Sequence, residues 1–151
     1  MRFFVKSILY ISTVAVIAGA AYAQFSKPDD AIRYRKAVMV LIVHHFKQMG
    51  AMVQGKMAYE RGPFQEQAKL LNTLSTLPWE AFMTAGSDRG NTGLKSAALK
   101  NQSAFMQAAK TFEGATRDLV RAGDSGDLGT IKTRFGETAK SCKGCHGQFR
   151  K

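Results

Sequence analysis

Ser141-Cys142-Lys143-Gly144-Cys145-His146 contains C-x-x-C-H, the attachment signature of a c-type haem. Two thiols spaced three residues apart can each add across a vinyl group of a porphyrin, and the histidine beside the second offers its imidazole to the iron. On a helix of 3.6 residues per turn, Cys142, Cys145 and His146 share one face, with Arg150 four residues beyond His146, about 6 Å along the axis. The spacing therefore predicts four side chains meeting one flat ligand. Both cysteines of the chain lie in this stretch, so no structural disulfide competes for them. A thiol redox pair expects an αβ context, which this chain lacks. A structural zinc site needs four ligands, and the remaining candidates, His44 and His45, lie about a hundred residues away.

The other end of the chain supplies a compartment. Arg2 and Lys6 form a basic n-region, Ser7 to Ala20 is apolar and uncharged, and Ala21-Tyr22-Ala23 is an A-x-A cleavage site. Residues 1–23 are expected to be a signal peptide cleaved after Ala23, with export to the periplasm and a mature domain over residues 24–151. The apolar run is short for spanning and no basic stop-transfer flank follows it, so no stable membrane anchor is expected. The formal charge of +11 falls to +9 once Arg2 and Lys6 are removed. The basic residues are scattered singly along an exported chain, which argues against nucleic acid and leaves an acidic redox partner or an anionic surface. A solvated basic face that serves solubility is the plainer explanation of the same charge.

Along the mature chain, Ser26-Lys27-Pro28-Asp29 reads as a helix start: a serine cap, proline in the first turn, and Asp29 and Asp30 at the positive end of the dipole. Apolar residues then recur at Ala31, Tyr34, Val38, Leu41, Ile42, His45, Met49 and Met52, a helical period. A second stripe of Arg35, Met39, Ile42 and Phe46 gives this helix two buried faces, one for a partner helix and one for a ligand. A second helix begins near Pro63, with Phe64, Gln67, Leu70, Leu71 and Leu74 at helical spacing, and Leu77-Pro78 stops it. Trp79 and Phe82 follow in a bend, placed either to lie against a planar cofactor or to plug the bundle end. Thr84 to Thr92 reads as a surface loop. A third pattern runs from about Gly93 to Ala122, and Gly123 and Gly126 mark a turn. Asp124, Ser125 or Asp127 caps the last helix, which carries Leu128, Ile131, Phe135, Thr138 and the haem motif.

Four helical patterns in one domain pack most simply as an all-α, antiparallel up-down-up-down four-helix bundle with the haem in its core. The first and last helices are then neighbours running in opposite directions, which brings Arg35 and Met39 to the level of His146. His44 and His45 lie about 140° and 120° around the helix from Met39, so neither reaches the same iron. Met49, Met52, Met57, Met83 and Met106 read as core fillers.

With the motif ending a four-helix chain, the sequence resembles cytochrome c′, the class II cytochromes c. The segments that carry the resemblance are Gln24 to Ala31, Tyr34-Arg35-Lys36, Thr76 to Phe82, Ser141 to His146 and Phe149-Arg150. It implies that Cys142 and Cys145 hold one haem c by thioethers, that His146 is the proximal axial ligand, and that Arg150 lies over the proximal face. It implies that Arg35 sits near a haem propionate, that Lys36, where glutamine is common, also meets a propionate, and that Trp79 and Phe82 wall the distal side. Met39 falls where the family keeps a bulky apolar residue above the iron. There it either blocks a five-coordinate, high-spin iron or, as in low-spin relatives, supplies a sixth ligand and makes an electron carrier. The resemblance also implies diatomic ligands, nitric oxide and carbon monoxide, and a homodimer built on the first two helices. A peroxidase-like enzyme would lack a distal acid-base group, because Arg35 cannot accept a proton.

Overall fold

Helix α1 spans Pro28–Val53. Proline at its first position has no N–H to leave unpaired, and Asp29 and Asp30 face the positive helix end. Proline also forces the preceding residue into extended backbone, so Lys27 takes the N-cap position and makes no side-chain cap bond. Ser26, expected as the cap, stands one residue outside. The structure is a computed structural model that describes residues 25–151, and the leader expected over residues 1–23 lies outside them.

Five more helices follow: α2 (Arg61–Leu74), α3 (Trp79–Phe82), α4 (Ala97–Lys100), α5 (Gln102–Ser125) and α6 (Leu128–Phe149). The long ones, α1, α2, α5 and α6, form the antiparallel bundle; α3 and α4 are single turns within the α2–α5 connection. The pattern expected from Gly93 onward therefore divides. Asn101 accepts a hydrogen bond from the Ala104 N–H through its side chain, and the long helix begins only there. Gly126, at φ 74°, closes α5 in the left-handed conformation that a Cβ disfavours. Asp127, among the three candidates, caps α6 by accepting from the Thr130 N–H at 2.7 Å.

Phe64, Met49, Leu71, Leu119 and Ile131 are fully buried and Phe105 nearly so, each contributing about 1.5–3 kcal/mol by leaving water. Several polar groups inside are paired: Thr116 of α5 and Ser75, at the end of α2, meet at 3.1 Å, and the Thr138 hydroxyl donates to the Arg134 carbonyl at 2.9 Å. Leu41, Leu128 and Met57, expected inside, are instead exposed at 46%, 43% and 46%. Leu41 sits on the outer edge of the α1 stripe, Leu128 in the first turn of α6, and Met57 in the α1–α2 connection, beyond what the core covers.

Helix α6 lies along α5, whereas its contact with α1 is sparse. The two meet where Phe46 stacks on Phe135, ring centroids 4.2 Å apart and planes within 3°. Gly50 permits that approach, since a Cβ there would stand 3.1 Å from the Phe135 ring.

Candidate functional site

The Phe46–Phe135 stack fixes which residues of α1 and α6 share a level. In an antiparallel pair, stepping seven residues back along α1 and seven forward along α6 pairs Met39 with Cys142; eleven pairs Arg35 with His146. Seven and eleven residues are close to about two and three whole turns, so each residue keeps the face of the aromatic it is counted from. Arg35 and Met39 thus lie on the α6-facing side of α1, and Cys142 and His146 on the α1-facing side of α6.

Cys142 and Cys145 are free thiols, partly buried and packed against the core. Burial pushes both thiols up, and Cys145 is raised further by its neighbour Cys142. A dithiol redox centre needs the reverse, a thiol lowered towards neutral pH. Burial pulls His146 down, and the Arg150 guanidinium adds to this, so the imidazole is neutral near pH 7 and keeps a lone pair for a metal. Among the described residues no group of three or more His, Cys, Asp or Glu gathers as a metal cluster. His45 lies away from this face, with its Nδ1 2.6 Å from the Gln67 amide oxygen on α2, and His44 is exposed.

Arg150 departs from expectation. The helix ends at Phe149, and Arg150 turns to extended backbone, forming an antiparallel bridge with Leu94. Its N–H still donates to the His146 carbonyl at 3.1 Å, so it caps the helix that it leaves. Its side chain lies over Gly93, whose Cβ position is 3.8 Å from Arg150 Cγ, and still acts on His146 through its charge.

Arg35 is 2% exposed. Its Nη1 donates to the Ala81 carbonyl and the Ser87 hydroxyl, each at 2.8 Å, and its Nη2 to the Ser87 carbonyl and, at 2.7 Å, to the Thr92 hydroxyl. The guanidinium also stands 4.8 Å from the centre of the Phe82 ring. No carboxylate pairs with it among the described residues. Burial pulls its pKa down and Asp88 opposes this at a distance. Lys36 is exposed and reaches Asn91 at 3.4 Å, at the side of an open cleft of about 460 Å³ lined also by Asp29, Ile32 and Arg33.

Trp79 and Phe82 join an aromatic cluster, with ring centroids 6.0 Å apart. Trp79 sets its edge against Phe105 and Phe112, Phe82 leans on Phe105, and Phe105 meets Phe149 at the end of α6. The Trp79 indole N–H is buried without a partner among the described residues. Leaving such a donor unpaired costs about 1–3 kcal/mol.

These features fit a covalently held haem c: two unpaired thiols turned to the core, a neutral imidazole beside them, a sparse α1–α6 seam, and a buried indole N–H, that of Trp79, without an acceptor among the described residues. Cys142, Cys145 and His146 would hold the group.

Residues that sequence reading missed are Ser87, Thr92 and the segment 93–95. The Lys95 N–H donates to the Phe149 carbonyl and the Lys151 N–H to the Gly93 carbonyl, both at 2.8 Å. Their signal was hidden in a Gly- and Ser-rich stretch whose partners lie some fifty residues away on either side.

A family model described as Cytochrome C' matches residues 30–150. Cytochrome c′ of Rubrivivax gelatinosus is 42% identical over 128 residues, covering 84% of this chain and 98% of that one. Its crystal structure superposes with a TM-score of 0.80, over 85% of this chain and all of the other. Cytochrome c prime of Shewanella frigidimarina gives a TM-score of 0.81 at 38% identity, over 84% and 98% of the two chains. Structures of Alcaligenes xylosoxidans cytochrome c prime variants, one a nitric oxide complex and one with carbon monoxide bound, match at 34% identity and a TM-score of 0.79, each covering 85% of this chain and 99% of its own.

Proposed function

Because the chain belongs to the cytochrome c′ family, we propose that it is an exported, periplasmic haem protein that binds nitric oxide and carbon monoxide at a five-coordinate iron. The cofactor is one covalent haem c, which supplies an iron with an open coordination position. The observation that carries the reading is the register set by Phe46 and Phe135, which turns Arg35 and Met39 towards the level of His146 and Cys142.

Cys142 and Cys145 would tether the group to α6, and His146 would offer its neutral imidazole to the iron. Met39, partly buried, presents a thioether with no N–H or O–H. Dioxygen needs a hydrogen-bond donor to stabilise the charge it gathers when bound, whereas nitric oxide and carbon monoxide need less help. The buried indole N–H of Trp79 lacks an acceptor among the described residues, which supports a propionate contact there, whereas Arg35, whose four terminal N–H groups already meet protein oxygens, offers a propionate its uncompensated positive charge. Lys36 and Arg150 add positive charge at the cofactor edge. On the α1 side, Arg35 cannot accept a proton and the Met39 thioether carries none, which supports gas binding or electron transfer over peroxide chemistry.

Two surfaces support partners. Gln67 faces α1 and Asn72 faces α5, so Leu70, three residues past Gln67, lies at the α1 side of α2. With Tyr34, Leu41 and Leu77 it forms an exposed apolar strip along the α1–α2 seam, which suits a homodimer. The basic surface suits an acidic redox partner. Among the described residues no helix is long and apolar enough to cross a membrane.

The test is optical and electron paramagnetic resonance spectroscopy of the purified ferric and ferrous holoprotein. High-spin ferric signals and formation of nitric oxide and carbon monoxide complexes are expected. A methionine-to-iron charge-transfer band would overturn the five-coordinate assignment and make Met39 the sixth ligand of an electron carrier.

A further inference from the structure

One hydroxyl joins the two sides of the haem site. The Thr92 Oγ1 accepts from Arg35 Nη2 at 2.7 Å and from the Leu94 N–H at 3.1 Å. On its first side is α1, at the level of His146. On its second side begins the segment Gly93–Lys95, whose main chain bonds twice to the end of α6 and whose Gly93 carries the Arg150 stem. A single unbroken path runs Arg35, Thr92, Leu94, Arg150 and then His146.

We propose that Thr92 is a positioning residue: its hydroxyl locks the loop to Arg35 and thereby sets where Arg150 stands beside the iron-binding His146. The inference rests on the haem-protein reading above. Several neighbouring contacts do not substitute for it. Ser87 also accepts from Arg35, but no bond from its side chain reaches residues 93–95. Asp88 accepts from the Ser96 hydroxyl and, through its carbonyl, from the Lys151 ammonium, both at the exposed rim. Thr92 alone among the described residues bonds both to the buried guanidinium and to the bridging segment. Without its hydroxyl, Arg35 keeps three acceptors and stays in place, while the Leu94 N–H and the bridge behind it lose their anchor.

The test compares Thr92→Val, Thr92→Ser and Ser87→Ala in the haem-loaded protein, with cofactor mass and the Soret band recorded first. Missing haem in the unsubstituted chain would defeat the haem reading itself, whereas the outcomes below judge Thr92 alone. Two readouts apply: amide hydrogen exchange at Lys95 and Lys151, and the iron–imidazole stretch of the ferrous protein by resonance Raman. Thr92→Val is expected to speed both amides about tenfold, the scale of one lost hydrogen bond, and to shift the stretch. Thr92→Ser should restore both readouts and Ser87→Ala should leave both unchanged. An unshifted Raman band in Thr92→Val, or an equal shift in Ser87→Ala, would overturn the proposal. If Thr92→Val does not accumulate, Thr92→Ala tests the same link, because it removes the same hydroxyl without adding a branched methyl. It should shift the Raman band, and an unshifted band would again overturn the assignment.

Discussion

Arg35 shows how much of the site depends on one side chain. Replacing it with methionine keeps the apolar stem but strips donors from the Ala81 carbonyl, both oxygens of Ser87 and the Thr92 hydroxyl. The expected loss is about 2–4 kcal/mol of stability, two or more unmet acceptors' worth, read from the urea midpoint. Met39→Ala works on function: opening space beside the cofactor should speed carbon monoxide binding in stopped flow, with little change if Met39 stands clear of the ligand. The attachment residues Cys142, Cys145 and His146 were legible in the sequence because their chemistry is local, packed into five consecutive positions. The partners of Arg35 were not, since half are main-chain oxygens, which every residue possesses, and all lie 46 to 57 positions away. The end of α6 at Phe149, one residue before Arg150, was hidden for a related reason: helical spacing cannot announce that a remote loop will pair with the backbone there.

Among the elements, α5 and α6 begin with side-chain caps, and their responses to mutation and acid differ in kind. Asn101→Ala should cost about 1 kcal/mol by exposing the first-turn amides of α5, detected as a lower urea midpoint. For α6, the Thr130 hydrogen bonds hold the Asp127 carboxyl below the usual carboxylate range. A group whose folded pKa is depressed stabilises the fold above its unfolded pKa and loses that contribution as pH falls through the folded value. Acidification through and below about pH 4 should therefore fray the start of α6 in wild type. Asp127→Asn, which keeps a capping oxygen, should flatten that part of the stability–pH curve; an unchanged slope would remove Asp127 as its source. The long helices were readable from periodicity, while α4 and the Leu94–Arg150 bridge escaped because each is a single turn or a single pair. Periodicity also overestimated burial at Leu41 and Leu128, as it marks a stripe and not where the stripe's edge meets water.

For the molecule as a whole, the apolar strip on α1 and α2 predicts self-association, and Leu41→Glu should convert the holoprotein to a monomer in sedimentation experiments without loss of haem. The pinch between the first and last long helices governs the rest. Gly50→Leu would force an entire side chain into the Phe135 ring, and should cost about 1–3 kcal/mol in thermal stability. Phe46 and Phe135 form a fulcrum, and the Met39–Cys142 level lies about 10 Å along both helices from it. A swing of about 6° at that pivot would open or close the jaws there by about 1 Å. The room granted to a guest between the helices is thus a lever-arm quantity, adjustable by remote packing at the pivot with every residue around the guest left as it is.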